Sequence, residues 1–280
     1  MMAVSHTDPV HALTRFAFLA GAPPDALNRF VARARWIDAK PNETVVEFGD
    51  ATTDVFFVVQ GSVRVFMRTA DGEHTQILGD FVVGDLVGEM SAIDDAPRSA
   101  RVEALVRTRL CVVSAAAFLD FAFAARSVGL YLMRLLTARI RGQNERLLEH
   151  TVLPTRLRVA AELFRLSRPR PDGICIVSPP PTHEELAARV GARRETVSRD
   201  LSALTRAGLL RRTRSAFVLD NPAALRAAVE GHGDDPRQSL TQKPQDLPLR
   251  PDLTISDARC GGANSMPRLR ELNGTALTPG

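Results

Sequence analysis

The run Gly88-Glu89-Met90-Ser91-Ala92-Ile93-Asp94-Asp95-Ala96-Pro97-Arg98-Ser99-Ala100 places one carboxylate and one guanidinium nine residues apart among small residues. Arginine presents a planar fork of donors that matches phosphate oxygens. A carboxylate accepts hydrogen bonds from a ribose hydroxyl, and glycine and serine let the backbone come close to a ligand. Together these groups suit a cyclic phosphodiester on a sugar. The competing use of Arg98 is a surface ion pair with Asp94 or Asp95. A second group lies far downstream. Arg194, Glu195 and Arg199 stand one and four positions apart, the spacing of one helix face. Arginine donates two hydrogen bonds to guanine O6 and N7, and glutamate accepts from the cytosine amino group, so this face can read base edges. Solvated i,i+4 ion pairs are the plainer use of the same residues.

The first group needs a β-rich frame. Thr44–Phe48, Val55–Val59 and Val63–Met67 are β-branched or aromatic, with Gly49-Asp50, Gly61 and Asp71-Gly72 as punctuation. Asp71-Gly72 is a hairpin turn before Thr75–Leu78, and further strands are expected over Val102–Leu105 and Arg109–Val113. Many short strands with regular turns predict a small barrel or roll. Two short helices are expected between Leu13 and Ala34 around Gly21-Ala22-Pro23-Pro24. From about Ala115 the pattern turns helical and stays so. Leu132, Leu136, Ile140, Gln143 and Leu147 form a stripe suited to a helix–helix seam between two copies of the chain. The plainer use is a helix packed on its own domain, and Gln143 is either a register-setting polar residue or a ligand contact.

Pro154 marks a hinge. Beyond it, Thr182-His183-Glu184-Glu185 is a capping box, opening a short helix whose apolar face is Leu186, Ala187 and Val190. Gly191 permits a tight turn, and a second helix is expected from about Arg193 to Ala207 with Val197, Leu201 and Leu204 inside. Two strands around Arg212-Thr213-Arg214-Ser215 make a basic wing. The order describes a winged helix-turn-helix, whose second helix enters the DNA major groove. The fold class is thus α+β, divided as 1–125 (roll), 126–153 (dimerisation helix), 154–230 (winged helix-turn-helix) and 231–280. The last stretch is rich in Pro, Gly, Asp and Ser without periodicity, and is expected to be disordered.

Two motifs carry a resemblance to a known family. The Gly88–Ala100 run resembles the phosphate-binding cassette of cyclic-nucleotide-binding domains, and Arg194-Glu195-Thr196-Val197-Ser198-Arg199 resembles the recognition helix of the catabolite activator family. The chain is therefore similar to the CRP/FNR superfamily from about Leu13 to Leu225. The resemblance implies a nucleotide site of Gly88, Glu89, Met90, Arg98, Ser99 and Ala100, with Glu89 on the ribose and Arg98 and Ser99 on the cyclic phosphate. It implies DNA contacts from Thr182, Arg193, Arg194, Glu195, Ser198 and Arg199 at a palindromic TGTGA-like site. Where cAMP-responsive members carry a Thr-Ser pair against adenine, this chain has Gln143 and Asn144, and Arg193 replaces a capping serine. Iron–sulfur members need four Cys ligands, but this chain has three Cys, none before Cys111. Haem members carry Cys and His where this chain has Gly88 and Met90.

Composition sets the remaining bounds. Net charge runs from −5 over residues 1–125 to +3 over 126–150 and +6 over 151–230, so the back half is the part suited to a polyanion. Cys111, Cys175 and Cys260 form neither a disulfide framework nor a Cys-only zinc site, which fits a reducing cytoplasm. No stretch approaches the ~18 apolar residues of a membrane span, and no metal cluster, Walker loop or nucleophile–base arrangement points to an enzyme. The expectation is a homodimeric, cytoplasmic, DNA-binding regulator with a cyclic nucleotide as effector, cAMP foremost, and RNA polymerase as a possible partner. The alternatives are the same DNA-binding fold with another effector or none, and a nucleotide-responsive module that grips protein in place of DNA.

Overall fold

The computed structural model describes residue 13 and residues 16–69, 74–171 and 173–231. The tail beyond Gly231, with Cys260, and the Asp71-Gly72 turn lie outside the described residues.

The chain is an α+β protein: an antiparallel roll, a long helix and a helix-turn-helix module. After a 3-10 turn at Ala17–Leu19, helix α1 (Pro24–Ala32) leads into eight strands of the roll. These are β1 (Arg35–Ala39), β2 (Thr44–Val46), β3 (Val55–Gln60), β4 (Ser62–Arg68), β5 (Thr75–Val82), β6 (Leu86–Val87), β7 (Arg101–Ala104) and β8 (Thr108–Val113). They form two sheets ordered β1-β8-β3-β6 and β2-β7-β4-β5. Successive side chains of a strand point to opposite faces, and β3 and β8 bury both. Phe56, Val58, Leu110 and Val112 meet the second sheet. Val55, Phe57, Cys111 and Val113 face a helical layer, where Phe57 makes edge contacts with Phe16 (5.3 Å) and Phe30 (5.5 Å). This double burial explains the unbroken apolar run Val55–Val59. Burial also pushes the Cys111 thiol up to about 12.

The cassette helix α2 (Glu89–Asp94) stands between β6 and β7. Helix α3 (Ala115–Ala122) starts on a Ser114 cap that accepts from the Ala117 N–H. Helix α4 (Arg126–Val152) follows at an angle of 113°. The helical stretch from Ala115 thus divides into two helices at Phe123-Ala124-Ala125. The apolar face of α3 lies on the roll, and the chain must turn at Phe123-Ala124-Ala125 for α4 to leave it. Between Leu13 and Ala34 the described residues hold Leu13 in helical conformation, the 3-10 turn on one side of Gly21-Ala22-Pro23-Pro24 and α1 on the other. The strand expected over Thr44–Phe48 ends at Val46, because Gly49 turns in the left-handed region (φ 82°) and Phe48 is exposed.

Leu153-Pro154 separates α4 from α5 (Thr155–Leu166). The module then holds β9 (Arg168–Pro169), β10 (Cys175–Val177), α6 (His183–Val190), α7 (Arg194–Arg206), β11 (Arg211–Arg212), β12 (Phe217–Leu219) and α8 (Pro222–Glu230). Its core gathers Leu163, Leu186, Val190, Val197, Leu201, Leu204 and Phe217. No single helix among the described residues is long and apolar enough to cross a membrane. Helices α3 and α4 pass that test only together, across their bend.

Candidate functional site: a cavity at the cassette and an exposed recognition helix

Gly88 connects β6 to α2 with φ 86°, and a Cβ there would lie 2.8 Å from Arg98 Nη1 and 2.9 Å from the Asp54 carbonyl oxygen. Only glycine lets the cassette close over the Arg98 side chain. Helix α2 ends on Asp95 in the left-handed region (φ 55°). The backbone of Arg98 is then clamped to the 49–50 loop: its N–H donates to Asp50 O and its carbonyl accepts from the Gly49 N–H, both at 2.9 Å.

Arg98 is only 3% exposed. It pairs with neither Asp94 nor Asp95. Its Nε donates to Thr52 Oγ1 (3.0 Å), Nη1 to Gly88 O (3.0 Å) and Nη2 to Asp54 O (2.8 Å), and the guanidinium sits 5.7 Å from the Phe56 ring centre. Burial holds it below the usual guanidinium range, against the pull of Asp54, Asp50 and Glu89. Three of its five N–H donors are thus internal, and two are left for a ligand.

Glu89 is 4% exposed and forms an ion pair with Arg139 of α4. Arg139 also donates to Leu86 O (2.7 Å) and lies 5.0 Å from the Phe81 ring centre, while its Nε is buried without a hydrogen-bond partner among the described residues. Beside these groups Asp85, whose carboxylate accepts from the Val82 N–H at 2.8 Å, is pushed up to about 6 by burial.

Gly88, Glu89, Met90, Arg98, Ser99, Ala100, Gln143 and Asn144 all line one cavity of about 560 Å³ between the roll and α4. Arg139, Arg146 and Phe81 line it too and were not among the site residues expected from the sequence. Arg139 lies fifty residues from its carboxylate partner, and only its place on α4 four residues before Gln143 hinted at it.

At the other end, Thr182 Oγ1 accepts from the Glu185 N–H (3.1 Å), and the Glu185 carboxylate accepts from the Thr182 N–H (2.7 Å), completing the capping box. Gly191 turns in the left-handed region (φ 60°), and α7 is entered through its N-cap residue Arg193, whose side chain makes no cap bond. Arg193, Arg194, Glu195 and Arg199 are exposed and Ser198 is half-buried, while Val197, Leu201 and Leu204 hold the inner side. Arg199 is braced on Thr196 Oγ1 (3.3 Å). His183, absent from the sequence-derived set, lies within electrostatic reach of Arg194 and Arg212. Partial burial first, and these two cations second, lower its proton affinity. The wing's Arg211 is paired with Asp220 (2.8 Å). Among the described residues no group of His, Cys, Asp and Glu is placed to hold a metal ion.

A roll with a walled cavity beside its cassette, joined by a long helix to a helix-turn-helix with an exposed second helix, defines a sensor-linked DNA-binding protein. Residues 36–124 match the cyclic nucleotide-binding domain family, and residues 157–228 match the Crp-like helix-turn-helix domain family. The chain is 34% identical over 163 residues to the cyclic AMP receptor protein of Thermus thermophilus, covering 58% of this chain and 73% of the relative. It is 26% identical over 220 residues to the CRP-like cAMP-activated global transcriptional regulator of Mycobacterium tuberculosis, covering 77% and 98%. Among solved structures, FixK2 from Bradyrhizobium japonicum shares the fold with a TM-score of 0.59 at 24% identity, over 69% of this chain and 96% of that one. The chain belongs to the CRP/FNR family of transcription regulators.

Proposed function

We infer that the protein is a homodimeric transcription regulator whose roll binds a cyclic nucleotide, cAMP foremost, and whose recognition helices read a palindromic TGTGA-like site. The observation that carries this reading is that all eight nucleotide-site residues share one cavity wall, although Gln143 and Asn144 come from a helix over forty residues downstream of the cassette. In this reading the last two donors of Arg98 take the cyclic phosphate with Ser99, Glu89 takes the ribose, and the two amides face the base. Thr182 and Arg193 contact backbone phosphates, and Arg194, Glu195 and Arg199 contact base edges beside Ser198.

The dimer is supported by α4, which buries only Val128, Leu132 and Leu135 and leaves Ile140 and Leu147 61% and 67% exposed. An apolar stripe of this kind, with Gln143 set in it, is a partner face. The working division is 1–125, 126–153, 154–230 and 231–280, with the protein acting in the cytoplasm and RNA polymerase as a partner.

Fluorescence anisotropy of a TGTGA-N6-TCACA duplex at fixed salt, with and without cAMP, tests both halves together. Tightening by tenfold or more, a coupling of about 1.4 kcal/mol, is expected. Equal binding in both conditions leaves the DNA reader standing and removes cAMP as effector. A second reading keeps the DNA function and gives the cavity another ligand. It is favoured by the amides at Gln143 and Asn144 and by the ion pair that already engages Glu89. Calorimetry with cAMP and cGMP separates the two.

A further inference from the structure

The strands β4 and β5 pair antiparallel, with Arg64 opposite Asp80. Because adjacent side chains take opposite faces, this ribbon has two jobs. Val65 and Phe81 line the cavity, and their neighbours Arg64 and Asp80 face the helix-turn-helix.

The contacts on that second face are specific. Arg64 Nε donates to Asp80 Oδ1 and Arg64 Nη1 to Glu185 Oε1 of α6, both at 2.7 Å. Asp80 Oδ2 accepts from Arg189 Nη2, and Gln76 Nε2 donates to the Arg189 carbonyl at 3.0 Å. Arg189 is 3% exposed, and its other arm reaches Glu162 of α5. Glu162 accepts from Arg165 (2.8 Å), which forks onto both Glu149 oxygens at 2.7 Å. Arg146, from the cavity wall, donates to the Leu78 carbonyl at 2.6 Å on the same strand. The turn between α6 and α7 is pressed against α4: a Cβ on Gly191 would lie 2.9 Å from His150 Cε1. Roll, long helix and DNA-reading module therefore meet in one charge-matched cluster, with Arg64, Arg146, Arg165 and Arg189 against Asp80, Glu149, Glu162 and Glu185.

We propose that the β4–β5 ribbon is a shared wall that carries the state of the cavity to the recognition helix within a single chain, and that Asp80 is its positioning residue. Apolar packing tolerates sliding, whereas a buried ion pair is costly unless both charges meet in good geometry. A cluster that loses its pairing when displaced favours two discrete arrangements over a continuum. Among the described residues Asp80 is the roll carboxylate that pairs with the module, and Arg189 lies one residue before Val190, which packs α6 on the core. A shift of Phe81 by a bound ligand moves Asp80, and with it the α6–α7 turn. The coupling part rests on the cavity being the effector site; the docking part does not.

The test uses the full chain. In ligand-free protein, Asp80→Asn is expected to speed hydrogen exchange of the Leu186–Gly191 amides at least tenfold, with the β3 and β8 amides unmoved. Unchanged exchange overturns the docking role. Should Asp80→Asn fail to fold, Gln76→Ala, which leaves every charge in place, is expected to speed the same amides alone, and its silence overturns the proposal. With cAMP as probe, the ratio of DNA Kd values without and with nucleotide is expected to fall toward one in Asp80→Asn. A wild-type ratio in that variant overturns the coupling. A wild-type protein indifferent to cAMP removes the effector reading, and the exchange arm then decides the docking alone.

Discussion

Arg98→Met separates what the guanidinium does for the fold from what it does for a ligand. Methionine keeps the length and the apolar contact with Phe56 but leaves three acceptors unpaired in the ligand-free protein. Thr52 is exposed, so water replaces that bond. Gly88 O and Asp54 O are half-buried, and each loses a charge-assisted hydrogen bond worth ~1.5–3 kcal/mol. The roll is expected to lose about 3–5 kcal/mol before any nucleotide is added. Trp36 on β1, the single tryptophan, reports on the roll, with Arg109 5.3 Å from its ring centre. With a urea dependence of about 2 kcal/mol per molar, the Trp36 transition should move down by roughly 1.5–2.5 M. A shift under about 0.2 M refutes the view that Arg98 ties the cassette to the 52–54 segment. Arg98→Lys keeps the charge without the fork and should fall between. Nucleotide affinities of either variant are informative only at urea-free conditions where the roll is shown folded.

Arg194→Ala should cost ~1–3 kcal/mol on the TGTGA-like duplex and little on random DNA, by anisotropy at one salt; an equal loss on both makes Arg194 a phosphate contact. Asp85 binds its proton more tightly folded than unfolded, so its contribution to stability falls as pH rises from near 4 through about 6. Asp85→Asn should therefore raise stability at pH 7.5 by about 3 kcal/mol and flatten the pH profile in that window, as read by thermal melts. Ile140→Glu should shift the sedimenting species to a monomer, and an unchanged sedimentation coefficient places the subunit interface elsewhere.

Local signals were legible and long-range ones were not. The Thr182 capping box, the Gly191 turn and the inner stripe Val197, Leu201, Leu204 are patterns within one or two turns, and sequence spacing states them directly. Strand β1 (Arg-Trp-Ile-Asp-Ala) escaped because its burial follows no alternation, and β6 is only two residues long. The break after Ala122 carries no proline or glycine; it is imposed by what α3 and α4 each cover. The pairing of Glu89 with Arg139 and of Asp80 with Arg189 joins residues 50 and 109 positions apart, and nothing local announces such a partner.

One consequence follows from the start of the recognition helix. Arg193 brings no oxygen to the exposed amino end of α7, where an oxygen-bearing cap stabilises a helix by ~1 kcal/mol. The protein thus leaves the reading edge of its own helix slightly unfinished. An anion from outside, such as a backbone phosphate, is what best completes it. In the proposed DNA-reading role, part of the energy of that first turn is deferred to the encounter with a phosphate, so the helix is firmest when it is in use.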